Sequence, residues 1–179
     1  DIVDNNTPDS YYTLLTDTLG RLQPAFGKFC VEGDNEAEQT NDYAEQMEKA
    51  GVTFLKDQTA YLYNQYRLIG LRDMSDKDKI LPSSYLEQIK KDSPYTIVIS
   101  HRPRKLEDIA RYNVNLTLCG HTAGGQYPVT GWIENLSSDM IYGIKKTGTM
   151  TVVTTSGVGQ YGIPSKIMAP AEIVKITLS

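Results

Sequence analysis

Cysteine and histidine are scarce in this 179-residue chain, with two of each. Cys30 and Cys119 are too few for a disulfide framework. Each closes an apolar, strand-like run, so the pattern predicts buried free thiols. No apolar run approaches the ~18 residues of a membrane helix, which excludes a helical span. A basic excess is also missing. The chain carries 18 Lys and Arg against 22 Asp and Glu, a net charge of −4 and a pI near 5.2. That excludes a nucleic-acid binder working through a broad basic face. It leaves room for one phosphate-bearing substrate, because a bound metal can carry the positive charge. The start, Asp1-Ile2-Val3-Asp4, lacks the basic head and apolar centre of a signal peptide. There is no Gly-x-Gly-x-x-Gly and no P-loop lysine, which argues against a nucleotide bound by a glycine loop. Repeats, low-complexity segments and linkers are absent as well.

What is present suits one folded domain over residues 1–179. Hydrophobic residues make up 40% and charged residues 22%, enough for a core. Thr7-Pro8-Asp9 predicts a helix start, with Tyr11, Leu14, Leu15, Leu19 and Leu22 on one face and Pro24 and Gly27 beyond its end. Lys28 to Val31 reads as a strand, and Gly33-Asp34-Asn35-Glu36 as the loop after it. A second helix fits 38–50, with Tyr43, Ala44 and Met47 on one side and Gly51 as its stop. Val52 to Leu55 reads as a strand, and Thr59 to Leu71 as two strands broken near Asn64. Met74 to Ile80 reads as loop, and a short helix fits from Pro82-Ser83 to about Lys91. Tyr95 to Ile99, a helix marked by Leu106, Ile109 and Ala110, and Val114 to Cys119 form a strand–helix–strand crossover, hence a parallel pair. From Tyr127 onward the chain reads as antiparallel strands.

The two histidines, His101 and His121, each follow one strand of that pair, so both emerge at the carboxyl edge of the sheet, where open α/β sheets bind ligands. Asp34 also follows a strand and can open onto that edge. Two imidazoles with carboxylates form a sensible ligand set for zinc, manganese or iron. Spacing alone equally fits two polar loop histidines. The glycines from Gly120 to Gly125 fit a tight turn or a close approach to phosphate. Arg102 suits phosphate recognition, or a cap on the following helix, or solvent. Asp73 ends a strand and either reaches the site or closes a turn. Tyr127 and Trp132 carry weaker signals, the first of a pocket wall and the second of core packing.

The order Gly33-Asp34-Asn35-Glu36, then Ser100-His101-Arg102-Pro103, then Gly120-His121-Thr122-Ala123-Gly124-Gly125-Gln126 resembles the calcineurin-like metallophosphoesterases. It is most similar to the branch whose last motif is Gly-His-Thr-His-Gly-Gly-Gln. Asp1-Ile2-Val3-Asp4 resembles the Gly-Asp-x-x-Asp block without its glycine. Ser156-Gly157-Val158-Gly159 and Pro170-Ala171-Glu172-Ile173 resemble the closing segments. The resemblance implies an α/β fold: a two-sheet mixed β sandwich flanked by helices, with its first strand missing here. It implies a two-metal site at the strand ends that clamps a phosphate ester for in-line attack, with a histidine protonating the leaving oxygen.

The sequence departs from that pattern. The Asp-x-His block that serves the first metal is absent, and the second histidine of Gly-His-Thr-His is Ala123, whose methyl cannot ligate. The ligands of the second metal map onto Asp1, Asp34, His101 and His121, with Asp34 in place of an asparagine. The proton donor's position holds Asn35, which gives up no proton near neutral pH. The expectation is therefore a metal-dependent phosphoesterase-type domain with an impaired site for one divalent ion, manganese, zinc or iron. Arg102 is the candidate substrate-binding residue. The substrate is a phosphomonoester, phosphodiester or pyrophosphate, small or lipid-linked, and not a nucleic acid. The alternative is a non-catalytic binding domain on a degenerate scaffold. A homodimer contact or a missing N-terminal fragment would cover the edge left by an absent strand. The cytoplasm and the cell envelope both remain open as the compartment.

Overall fold

Two apolar stripes run along the first helix, and only one of them faces the protein. The computed structural model describes residues 2–3, 7–37, 42–74, 83–91, 93–125, 138–159 and 169–178. Helix α1 spans Asp9–Arg21. Tyr12, Leu15 and Leu19 pack against a cluster of Val3, Tyr43, Met47 and Val52. Tyr11 and Leu14 are each 62% exposed, and Leu22 is exposed too. The expected face therefore merges two stripes about 100° apart, and contact with Tyr43 selects the one containing Tyr12. Pro8 holds the N-cap position, without a side-chain cap bond of its own.

Strand β1 (Lys28–Cys30) and strand β2 (Val52–Phe54) form a two-stranded parallel sheet. Between them lie α2 (Asp34–Ala37) and α3 (Asp42–Lys49). The Gly33–Glu36 stretch is thus a short helix rather than a loop, since Glu36 folds back to accept the amide of Gly33. On α3, Tyr43 and Met47 are buried as expected. Lys28 reaches the carboxyl ends of both long helices, donating to the carbonyls of Leu19 (2.6 Å), Leu22 (3.3 Å) and Ala50 (2.5 Å). A cation there satisfies orphan carbonyls and the negative end of each helix dipole.

Among the described residues the second sheet has six strands: β3 (Gln58–Leu62), β4 (Tyr66–Gly70), β5 (Tyr95–Ile99), β6 (Leu116–Cys119), β7 (Gly143–Thr147) and β8 (Met150–Thr154). Their spatial order is β3-β4-β5-β6-β8-β7. The break near Asn64 is a hairpin turn, with Tyr63 and Asn64 at φ of 49° and 57°. Strands β4, β5, β6 and β8 run parallel, and the outer strands β3 and β7 are antiparallel to their neighbours. Among the described residues of the final third, the antiparallel reading therefore holds for β7–β8 but not for β6–β8. β8 adds to β6 in parallel, because Thr117, Val152 and Val153 need cover within the sheet. The β5–β6 crossover carries α4 (Leu106–Ile109), whose Leu106 and Ile109 are buried against Val98, Val114 and Ile69. Among the described residues, the helix expected from Pro82 is a single 3-10 turn over Ser83–Tyr85.

A mixed sheet and a parallel sheet flanked by helices make this an α/β fold of the expected two-sheet kind. The two sheets meet at Gly70, where a β-carbon would lie 2.2 Å from Leu55 Cβ and 2.8 Å from its carbonyl oxygen.

Candidate metal centre

Ladder hydrogen bonds continue past the strands into the candidate loops. Leu71 N–H donates to the carbonyl of Ile99, and Ser100 N–H to that of Leu118. Gly120 N–H donates to the carbonyl of His101 at 3.0 Å. The histidines are therefore held in register by the sheet. His101 is 6% exposed, while His121 stands in a left-handed conformation (φ 67°) that turns its ring back over the sheet edge. Asp34 comes from the other side, at the first turn of α2.

Three of the four expected ligands converge. His101 Nε2 lies 2.7 Å from Asp34 Oδ1 and 3.0 Å from His121 Nδ1, and His121 Nδ1 lies 3.2 Å from Asp34 Oδ1. Donors about 2.1 Å from a tetrahedral ion stand about 3.4 Å apart, a little wider than these distances. The donor set of two imidazoles and a carboxylate fits a divalent ion in both chemistry and spacing. Hydrogen bonds from His101 and His121, helped by Arg102, hold the Asp34 carboxyl far below the usual carboxylate range. Burial pushes the His101 imidazole down, so that it stays neutral, the form that ligates. Asp1 lies outside the described residues. Its neighbours Ile2 and Val3 are tied to the site loop, because both backbone amides donate to Glu36 Oε1.

Arg102 belongs to the same cluster. It neither faces solvent nor caps α4. Its Nη2 is 3.0 Å from Asp34 Oδ2, Nη1 is 2.9 Å from His121 Nε2, and Nε takes both oxygens of Asp73 at 2.9 and 3.1 Å. Asp73 thus reaches the site rather than closing a turn. Asn35 sits beside Asp34 on α2. Ala123 has φ 47° in the turn after His121.

The glycine stretch serves the turn. Gly124, at φ 69°, has Ala169 Cβ and Ser156 Cβ within 2.5 and 2.9 Å of where its own β-carbon would be. The closing segments meet here too: Glu172 accepts from Thr155 Oγ1 and the amide of Ser156. Tyr127 and Trp132 lie outside the described residues. Glu36, fourth in the Gly33–Glu36 motif, is the residue that sequence reasoning overlooked, and its place in that motif was the available signal.

No family model and no solved structure matches the chain. Curated relatives do. An uncharacterized metallophosphoesterase of Bacillus subtilis, YkuE, is 30% identical over 195 residues, covering 99% of this chain and 65% of its own length. An uncharacterized metallophosphoesterase of Helicobacter pylori is 27% identical over 184 residues, covering 99% of this chain and 49% of its own length. The phosphodiesterase YaeI of Escherichia coli is 27% identical over 165 residues, covering 85% of this chain and 59% of its own length. The chain spans about half to two thirds of the length of these relatives. The chain thus joins an α/β fold, with a group of side chains at its strand ends that could hold a metal ion, to sequence similarity along nearly its whole length. Relatives matched over nearly the whole chain are named metallophosphoesterases, which supports the calcineurin-like family for this chain. No helix among the described residues is long and apolar enough to cross a membrane.

Proposed function

We propose that this chain is a phosphoesterase domain that works with one divalent cation, manganese, zinc or iron, held by Asp34, His101 and His121, with Asp1 as a fourth ligand. The convergence of three donor atoms within hydrogen-bond distance of one another carries the reading. When bound, the cation supplies positive charge against the phosphoryl group. Asp34 provides the anionic ligand, and the two imidazoles provide nitrogen lone pairs. Arg102 presents guanidinium donors to phosphoryl oxygens beside them. Asn35 holds the proton donor's position and donates only a hydrogen bond, so leaving-group protonation falls to water. Loss of a general acid typically costs about 10²–10⁴ in rate. The substrate class is a phosphate ester, small or lipid-linked. A phosphodiester is the first choice, in line with the Escherichia coli relative's name.

Ala123 and Asn35 favour a second reading, a binding domain without turnover. Elemental analysis after incubation with manganese or zinc and desalting separates the two. One ion per chain, lost in His101→Ala, supports the one-cation site. Two ions would mean that further residues complete the usual pair. No retained ion leaves the binding domain as the reading.

A further inference from the structure

The turn that carries His121 is held against its own backbone preference. Four of the five residues from His121 to Gly125 are left-handed: His121 at φ 67°, Ala123 at 47°, Gly124 at 69° and Gly125 at 68°. Side chains other than glycine rarely adopt that conformation, and they keep it only where their surroundings impose it. Inside the turn, Gly125 N–H donates to the carbonyl of Thr122 at 2.8 Å. Two walls restrain it from outside.

On one wall, the buried Thr122 hydroxyl donates to the carbonyl of Ile141. On the other, Thr155 N–H donates to the carbonyl of Cys119 at 3.0 Å. There too, Ser156 and Ala169 fill the space over Gly124, whose β-carbon would lie 2.9 and 2.5 Å from theirs. One carboxylate ties the two walls together. Glu172 Oε2 accepts the hydroxyl of Tyr142, the residue after Ile141, at 2.9 Å. Its Oε1 accepts Thr155 Oγ1 at 3.0 Å and the Ser156 amide at 3.2 Å. The amide of Glu172 donates to the carbonyl of Gly157 at 3.0 Å, so its backbone is pinned as well.

We propose that Glu172 is a positioning residue of the cation site: it clamps the 141–142 and 155–157 segments around the His121 turn, and so keeps the third donor of the triad in place without touching it. With the clamp released, the walls part and the left-handed turn relaxes. His121 then withdraws from Asp34 and His101, and the site falls from three donors to two. The inference rests on the reading of the triad as a cation site and deepens it, by extending the support of that site to a residue well past β8.

The test compares the native chain with Glu172→Ala, Glu172→Gln and Tyr142→Phe, and uses Lys28→Met as a control for stability lost elsewhere. Manganese affinity is measured by calorimetry, and exchange of the Gly125 amide is followed by NMR on the cation-free chain. Glu172→Ala should weaken manganese about tenfold, the low end of what groups that orient metal ligands are worth. It should also speed exchange at Gly125. Tyr142→Phe frees one wall alone and should fall between native and Glu172→Ala on both readings. Glutamine keeps an acceptor for Thr155 and Ser156, and its amide can donate to the Tyr142 oxygen, so Glu172→Gln should stay within about twofold of native. Lys28→Met should also stay within about twofold, although it unfolds earlier. Native manganese affinity in both Glu172→Ala and Tyr142→Phe overturns the inference, and Tyr142→Phe decides alone where the alanine variant fails to fold. A glutamine variant as weak as the alanine variant would make negative charge the cause, and equal weakening in Lys28→Met would make general stability the cause. Either result overturns the clamp and leaves the cation site standing. Failure of the native chain to bind manganese overturns the cation reading, and the inference with it.

Discussion

Glu36 accepts the backbone amide of Val3 at 3.1 Å across 33 residues of sequence. The same carboxylate accepts from Ile2 and, through its other oxygen, from Gly33 at 2.8 Å. Burial raises the pKa of this carboxyl and those bonds are among the interactions that lower it; the balance lies below the ordinary value. One side chain thus joins the start of the described chain, the core residue Val3 and the turn that presents Asp34. In Glu36→Gln, two oxygens become one and a second donor enters a buried pocket. The loss expected is about 1–3 kcal/mol. Urea unfolding reads the loss, and hydrogen exchange should show the amides of Ile2 and Val3 opening first.

Gly70 is the point where the two sheets touch. Its missing side chain lets β4 pass beneath Leu55, whose Cβ would be 2.2 Å from any Cβ at position 70. Gly70→Ala is expected to cost about 1–3 kcal/mol by overpacking. Because Asp73 and Arg102 lie just beyond, phosphate affinity should fall along with the denaturation midpoint. A stable, tight-binding Gly70→Ala protein would show that the sheets can part at this point without consequence.

Lys28 holds the carboxyl ends of α1 and α3 together through three carbonyls. Lys28→Met keeps the length and removes the charge. A loss of about 1–2 kcal/mol is expected, as two helix ends lose a cap and a favourable dipole contact. The measurement is thermal unfolding of both proteins at low and high salt. The gap should narrow as salt rises.

The thiols give the pH dependence. Burial pushes both Cys30 and Cys119 up to about 12. An unfolded thiol titrates near 8.5. Folded pKa values lie above unfolded ones, so this contribution to stability is whole below about pH 8.5 and is lost as pH rises from there toward 12. The unfolding midpoint should fall between pH 8.5 and 10.5, and the fall should be shallower in Cys119→Ala. At pH 8, neither thiol should react with a disulfide reagent at an appreciable rate until the protein unfolds. Fast labelling of Cys119 in the native protein would contradict its burial.

Much of the centre was legible because its residues follow strong signals. Tyr95–Ile99 and Leu116–Cys119 are apolar runs, and His101 and His121 come directly after them, so their shared sheet edge follows from topology alone. Asp34 follows β1 in the same way. What the pattern conceals is choice between equivalent local options. α1 offers two apolar stripes, and only contact with Tyr43 decides which is buried. β8 has the composition of an antiparallel strand, and only the open side of β6 decides its direction. The Asp73–Arg102 pair spans 29 residues, and its readings as a turn closure and a solvent-facing arginine are locally just as sound.

The chemistry of this fold is confined to the margin of a ladder that does not depend on it. Ala123 lies beyond the last strand bond of β6, at a left-handed φ of 47° that histidine tolerates better than most side chains. Asn35 lies on a short helix outside both ladders. Replacing either one touches no strand pair and no core cluster. Catalytic capacity can therefore drift away, and be put back residue by residue, while the architecture is inherited intact.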